Sequence, residues 1–143
     1  MKKLTLIIPA KNESESLPSV LDELKIYNLK INIILQESDI STIRSVENYP
    51  VNLIYQDNKG YGDALIKGIE TCTTDYFSIF NADGSFNPSE LKTMLFYIEK
   101  DNYDFVFGSR YQKNSGSEDD TIITLVGNYI FTWIGKFIFN LNI

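Results

Sequence analysis

Three side chains with oxygen atoms lie two residues apart in one loop of this sequence. Asn81, Asp83 and Ser85 belong to the segment YFSIFNADGSFNP, which runs from Tyr76 to Pro88 and begins as an apolar strand. A loop after a buried strand is well placed for chemistry, because the sheet holds the backbone while the loop oxygens can coordinate a ligand or a cation. Taken alone, NADGS is more often a tight turn than a metal site.

The sequence contains no histidine, which excludes catalytic triads, histidine-ligated zinc sites and the commonest general base. Chemistry must then use carboxylates, a metal bound through oxygen, or a substrate that needs no deprotonation. The 13 Lys and Arg against 19 Asp and Glu give a net charge of −6, which argues against a nucleic-acid-binding surface. A phosphate-bearing ligand would therefore be held by local groups or by a cation.

A second segment, QDNKGYGDALIKGI, places Gly60 and Gly62 just before a predicted helix. The glycines permit a close approach of the backbone, and the start of the helix favours an anionic group. The phosphate-loop pattern GxxxxGK[ST] is absent. A GxG before a helix is as often ordinary loop chemistry, so both interpretations stay open.

Strands and helices alternate through most of the chain. Short apolar runs predict strands at residues 4–8, 31–35, 51–55, 76–80 and 103–107. Helices are predicted between them, the first capped by Asn12 or Ser14 and the fourth starting near Pro88. This order predicts an α/β fold with an open, mostly parallel sheet and helices on both faces. The ligand crevice should lie at the carboxyl ends of the strands.

The last segment, residues 121–143, has fourteen apolar residues of twenty-three and a single charge, Lys136. Its apolar residues recur at helical spacing, which predicts a C-terminal amphipathic helix. Three interpretations remain open: a helix packed on the sheet, a helix at a membrane interface, or a membrane span, for which the uncharged run is short. Since the N-terminus lacks a signal-peptide pattern, we expect a cytoplasmic protein, or one at the cytoplasmic face of the membrane.

Four segments, in this order and at these separations, carry a resemblance to a known family: IIPAKNESESLPSVLDEL, NKGYGDALIKGI, FNADGSFNPSEL and YDFVFGSRY. Together they resemble the catalytic domain of a family 2 glycosyltransferase of the GT-A fold, and within it the dolichol- or polyprenyl-phosphate sugar transferase branch. The resemblance covers nearly the whole chain. It implies a nucleotide-sugar-binding α/β domain over residues 1–120, followed by the helix at 121–143 in peripheral contact with a membrane.

The resemblance also implies an activity: transfer of a sugar, with inversion, from a nucleotide-diphosphate donor to a polyprenyl-phosphate or saccharide acceptor. It assigns Asp83, Asn81 and Ser85 to a Mg²⁺ or Mn²⁺ ion, and catalytic roles to Asp83 and Arg110. The residues that it assigns to the nucleotide are Pro9, Ala10, Asn12, Glu13, Glu37, Asn58, Gly60, Gly62, Asp63 and Ala82.

Three departures from the family pattern keep an alternative open. Asn81 stands where relatives have an aspartate, LQESD replaces a pair of aspartates, and the sequence stops at NLNI where relatives usually continue, so we expect a partial domain. The alternative is a non-catalytic nucleotide-sugar-binding or membrane-associated module. A phospho-acceptor domain with Asp83 as the acceptor is disfavoured, because the NKGYGDAL and GSRY segments have no role in one. The donor sugar, the base and the oligomeric state are not indicated.

Overall fold

The computed structural model describes residues 3–101, 103–108 and 122–139. Two compact units divide the chain, Met1–Asp104 and Phe105–Ile143. The helices and strands, in chain order, are β1 (Leu4–Pro9), α1 (Leu17–Leu24), a short 3₁₀ helix (Lys25–Tyr27), β2 (Lys30–Leu35), α2 (Ile40–Ser45), β3 (Asn52–Tyr55), α3 (Tyr61–Glu70), β4 (Tyr76–Ile79), α4 (Glu90–Asp101) and α5 (Ile122–Ile138).

The first unit is built on a four-stranded sheet in the order β3-β2-β1-β4. All three strand pairs are parallel, and Ile7 at the centre of β1 lies beside Asn32 on one side and Ile79 on the other. The predicted α/β class with a parallel sheet is confirmed. Successive strands move outward from β1 to β3, and the chain then returns to place β4 on the other side of β1. In such sheets a ligand crevice forms where the strand order reverses, here between β1 and β4.

Helices cover both faces of this sheet. On one face, alternate residues of β1 (Leu4, Leu6 and Ile8) pack with the buried residues of α1 and with Leu91 of α4. On the other face, Ile7 and Ile34 pack against Ala64 of α3. Because both faces of β1 and β2 are buried, these strands are mostly apolar in the sequence, and each contains one buried polar residue, Thr5 or Asn32.

Gly68 lets α3 lie directly on the sheet. A Cβ atom added there would overlap Cγ2 of Ile7 and stand 3.1 Å from Cγ1 of Ile34, both on the central strands. A side chain at this position would therefore push the helix away from the sheet.

Gly68→Ala is expected to lower the free energy of unfolding by up to about 2 kcal/mol. Overpacking a core costs about 1–3 kcal/mol, and the higher helix propensity of alanine, worth about 1 kcal/mol, offsets part of it. Urea denaturation followed by circular dichroism measures the change. Gly62→Ala is the matched control, since nothing lies within 4 Å of its added Cβ and its stability should be unchanged or higher. Equal stability of the two variants would contradict the packing argument.

The predicted strand at 103–107 is wrong, because those residues have no strand structure. Its residues are mostly apolar, as in a strand, but Phe105 and Phe107 are 73% and 85% exposed. A strand forms only when its backbone groups pair with a neighbour, and no strand pairing involves these residues in the described part of the chain.

Two predicted helix starts are also corrected. Helix α1 begins at Leu17 rather than just after Asn12 or Ser14, with Ser16 at the N-cap and Pro18 in the first turn. Asn12 instead lies in the loop after β1, with a left-handed φ of 59° and its N–H bonded to Asp39. Helix α4 begins at Glu90, two residues after Pro88.

The second unit contains α5, which confirms a helix within the C-terminal segment. Among the described helices, none combines the length and the apolar character that crossing a membrane requires. The predicted boundary at residue 120 falls outside the described residues.

Candidate functional site

The loops after all four strands lie at the carboxyl edge of the parallel sheet. Three of them leave the sheet through hydrogen bonds that continue the strand pairing. The N–H groups of Ala10, Gln56 and Phe80 donate to the carbonyl oxygens of Ile34 (2.9 Å), Leu35 (3.1 Å) and Ile7 (2.9 Å). The start of each loop is therefore as well positioned as the strand before it.

The loop after β1 and the segment after β2 together form a cleft of about 250 Å³. The N–H of Asn12 donates to Oδ2 of Asp39 (2.7 Å), and the N–H of Glu13 donates to the hydroxyl of buried Thr42 (3.0 Å). These bonds join the two walls. The lining residues are Ala10, Lys11, Asn12, Gln36, Ser38, Asp39, Ile40 and Ser41.

Both oxygens of the Asp39 carboxylate accept hydrogen bonds from protein groups. Besides the N–H of Asn12, it accepts hydrogen bonds from the N–H of Thr42 (3.3 Å) and the hydroxyl of Ser41 (3.1 Å), and so caps α2. Partial burial opposes its ionisation, but these hydrogen bonds outweigh the burial, and the pKa of Asp39 is lowered. Asp39 is therefore an anion that holds the local backbone.

The loop after β3 is closed by its own polar side chains. The carboxylate of Asp63 accepts hydrogen bonds from the backbone N–H (3.1 Å) and the side-chain amide (2.9 Å) of Asn58. These bonds from Asn58 hold the pKa of Asp63 below its usual value. The side chain of Gln56 donates to the carbonyl oxygens of Asn58 (2.6 Å) and Gly60 (3.2 Å). Gly60 has a φ of 115°, a backbone conformation that favours glycine. It is the N-cap of α3, which begins at the next residue.

The loop after β4 carries the three oxygen-bearing side chains in a compact turn. The amide nitrogen of Asn81 donates to the hydroxyl of Ser85 (3.0 Å), and the N–H of Ser85 donates to Oδ1 of Asp83 (2.9 Å). Ala82 is buried between them, whereas Asp83 and Ser85 are exposed. Gly84, with a φ of 78°, completes the turn. The turn and the metal-site interpretation are thus compatible, since the turn itself gathers the oxygens.

These loops, in this order on a parallel sheet, match the architecture expected from the resemblance. A family model described as Glycosyl transferase family 2 matches residues 5–141. The chain belongs to this family.

Individual relatives agree with this membership. The chain is 29% identical over 126 residues to a protein named dolichol-phosphate mannosyltransferase from Pyrococcus furiosus, covering 82% of this chain and 36% of the relative. It is 24% identical over 155 residues to a UDP-N-acetylglucosamine–dolichyl-phosphate N-acetylglucosaminyltransferase from Methanococcus voltae, covering 93% and 62%. The chain thus spans between about a third and about three fifths of the length of these curated relatives.

A solved structure shows the same fold. The mannosyl-3-phosphoglycerate synthase from Rubrobacter xylanophilus superposes with a TM-score of 0.61 and 18% identity, covering 69% of this chain and 36% of that one. At this identity the likeness concerns the fold alone.

The structure brings some of the predicted residues of this family 2 chain together and separates others. Ala10 and Asn12 line the cleft, Pro9 ends β1 just before them, and Glu13 follows them in the same loop. Glu37 is exposed and does not line the cleft, whereas its neighbour Gln36 does. Asn58, Gly60, Gly62 and Asp63 form one loop and helix start. Arg110 lies outside the described residues, so its catalytic role stays a prediction.

Sequence reasoning places Asp39 in a loop at the crevice but assigns no role to it, and it does not identify Gln36 or Thr42. An aspartate immediately before a short helix is a readable N-cap signal for Asp39. Nothing in the sequence shows that its carboxylate also reaches Asn12, 27 residues earlier.

The oxygen atoms of the loop after β4 suit a divalent cation that is shared with a substrate. No group of three or more His, Cys, Asp or Glu side chains that could hold a metal occurs among the described residues. The loop instead offers one carboxylate, one amide oxygen and one hydroxyl, and Mg²⁺ commonly takes one or two carboxylates and completes its shell with water and phosphate oxygens. The residues therefore fit such an ion when a diphosphate supplies further ligands.

Proposed function

We propose that this chain forms the donor-binding part of a glycosyltransferase that moves a sugar from a nucleotide-diphosphate donor to a polyprenyl-phosphate or saccharide acceptor. The main support is the cleft between the loops after β1 and β2, at the same edge of the sheet as the loop of Asp83. Ligand sites in open parallel sheets lie at this edge. Family membership and the names of the two relatives point to the same reaction class.

The cleft is proposed to hold the nucleoside of the donor. At about 250 Å³ it is smaller than the roughly 300–1,000 Å³ typical of sites that enclose a whole drug-sized ligand, so a nucleoside fits better than a complete nucleotide sugar. Its floor is the buried Ala10, and its polar lining offers both hydrogen-bond donors and acceptors, among them Gln36 and Ser38. Lys11 is the one cation among its lining residues, and it would face the phosphate side of a bound nucleotide.

The diphosphate is proposed to extend toward the loop after β4, where Asp83, Asn81 and Ser85 would hold a Mg²⁺ or Mn²⁺ ion. When bound, such an ion neutralises the negative charge that develops on the leaving nucleoside diphosphate. Ala82 is buried and fixes the backbone between Asn81 and Asp83. In this acidic chain, the positive charge that Lys and Arg provide at other phosphate sites would come mainly from the ion.

The proposed reaction is a single displacement with inversion. An acceptor oxygen forms the new bond to the anomeric carbon as the bond from that carbon to the donor diphosphate breaks, and the electron pair leaves with the diphosphate. A lipid phosphate is already an anion and needs little help from a base. A chain without histidine is compatible with such an acceptor.

Residues 121–143 are proposed to contact the cytoplasmic face of the membrane that holds a lipid acceptor. Aromatic side chains of α5, including Tyr129, Trp133 and Phe137, are more than half exposed. Tryptophan and tyrosine favour the membrane interface. Trp133 is the only tryptophan of the chain, so its fluorescence should shift to shorter wavelength on adding phospholipid vesicles, and an unchanged spectrum would contradict the contact.

Titration calorimetry with UDP-, GDP- and dTDP-sugars, with and without Mn²⁺, tests the proposed function. We expect one nucleotide to bind clearly better than the others, and its affinity to rise with Mn²⁺. Failure of every donor to bind the folded chain would contradict the proposal.

A second candidate is a nucleotide-sugar-binding module without turnover. It is favoured by the loop after β4, in which Asp83 is the single carboxylate and the amide of Asn81 already bonds Ser85. Donor binding with no hydrolysis or transfer, even in a longer form of the protein, would support this candidate.

A further inference from the structure

We infer that Asp39 is a positioning residue that holds the loop of residues 10–13 against the start of α2, so that both walls of the cleft keep one shape before a nucleotide binds. The inference depends on the proposed function only for the identity of the ligand, a nucleotide. Neither the resemblance nor the relatives assign a role to this residue.

The first step is the use of the two carboxylate oxygens. Oδ2 accepts the N–H of Asn12 at 2.7 Å, and Oδ1 accepts the N–H of Thr42 and the hydroxyl of Ser41. One oxygen thus binds the loop after β1 and the other binds α2. Asp39 lines the cleft, but its oxygens already accept from protein donors, so we expect its effect on a ligand to come from holding the loop.

The second step is the backbone that Asp39 restrains. Asn12 has a φ of 59°, and left-handed backbone is unfavourable for residues other than glycine, although asparagine tolerates it best. Hydrogen bonds to a carboxylate are stronger than those to neutral acceptors. The bond from Asn12 to Asp39 therefore stabilises a conformation that the loop alone would adopt less often.

The third step is where the bond from Asn12 to Asp39 lies relative to the other hydrogen bonds that hold this loop. Ala10 is held by the carbonyl of Ile34, and Glu13 is held by the hydroxyl of buried Thr42. Asn12 lies between them, exposed at the wall of the cleft. Without Asp39, the loop would keep its two ends and lose its middle support. A ligand would then have to order the loop on binding, which lowers its affinity.

The test compares Asp39→Ser with Asp22→Ser in the full chain. Serine is a good N-cap, so α2 keeps its cap, but its side chain is too short to reach Asn12. Asp22 is a matched control: it also accepts hydrogen bonds from another segment, through the hydroxyl of Tyr49 (3.1 Å), and it lies outside the cleft. The probes are UDP and GDP with Mg²⁺.

We expect Asp39→Ser to weaken binding of the preferred nucleotide about tenfold and to speed amide hydrogen exchange at Asn12 and Glu13. Urea denaturation should give similar stability for both variants, and Asp22→Ser should bind like the unchanged chain. Asp39→Asn keeps the size and the cap while losing the charge and one acceptor, so it should fall between. It also replaces Asp39→Ser if that variant does not fold.

Two outcomes separate the inference from the proposed function. If the unchanged chain binds a nucleotide, and Asp39→Ser binds it equally well with unchanged exchange at Asn12, the inference is wrong. If the unchanged chain binds neither nucleotide, the proposed function is wrong for these bases. The exchange rate of the Asn12 amide then decides the inference by itself: faster exchange in Asp39→Ser supports the restraint, and equal exchange overturns it.

Discussion

Asp83→Asn is expected to lower the affinity for the preferred nucleotide sugar in the presence of Mn²⁺ by at least about a hundredfold. Asp83 supplies the single carboxylate of the loop after β4, and a neutral amide there leaves the cation without a charged protein ligand. Losing a residue that only supports a metal ligand already costs about 10–100-fold, so losing the ligand should cost at least as much. Titration calorimetry with Mn²⁺ present, and again with EDTA, measures the effect.

The asparagine substitution is chosen because it retains the turn. Its amide oxygen can still accept the N–H of Ser85, which Oδ1 of Asp83 accepts at 2.9 Å, so folding should be preserved. Asp75→Asn is the matched control, an exposed aspartate just before β4 at the opposite end of the strand. It should bind like the unchanged chain. If Asp83→Asn retains the full Mn²⁺-dependent gain in affinity, the metal assignment is wrong.

Asn81→Asp is expected to raise the affinity for Mn²⁺ about ten- to a hundredfold, and with it the affinity for the donor. The change adds a second carboxylate two residues from Asp83, and negatively charged oxygens bind hard cations more strongly than amide oxygens do. The turn should survive, because the hydroxyl of Ser85, which now accepts from the amide of Asn81, can instead donate to a carboxylate. Calorimetry with Mn²⁺ alone measures the first effect.

Asn87→Asp controls for the added charge. Asn87 is exposed and lies six residues further along the same connection, where its oxygen accepts hydrogen bonds from Ser89. An aspartate keeps that acceptor and adds the same charge away from Asp83. Equal gains in both variants would mean that charge alone attracts the cation. No gain in Asn81→Asp, in either metal affinity or donor hydrolysis, would favour the non-catalytic module.

The predicted strands show how much of the sheet can be identified from the local sequence pattern. Strands β1 and β2 are recognisable because both of their faces are buried, which favours a mostly apolar run. The run at 103–107 has the same chemistry but no strand structure, since pairing with a neighbour is decided by tertiary contacts. The start of α1 was misplaced for a similar reason: Asn12 is a good N-cap by residue type, but its left-handed backbone belongs to a loop bonded to Asp39.

The candidate site divides in the same way. Asn81, Asp83 and Ser85 could be identified from the sequence because they interact within five residues of one another, and the structure gathers them in one turn. Likewise, Asn58 and Asp63 belong to one local loop. The role of Glu37 stays a prediction: its side chain is exposed, and the cleft beside it is lined by its neighbours Gln36 and Ser38. Which of two consecutive loop residues points inward depends on backbone dihedral angles that residue type does not specify.

By itself, the sequence determined the family, the alternation of strands and helices, and the oxygen-bearing turn after β4, because each depends on residues close together or on the period of apolar positions. Only the tertiary structure decided how the loops after β1 and β2 meet. The bonds from Asn12 to Asp39 and from Glu13 to Thr42 span 27 and 29 residues, and they exist because parallel pairing of β1 with β2 brings both loops to one edge of the sheet. Such contacts leave no periodic signal in the sequence.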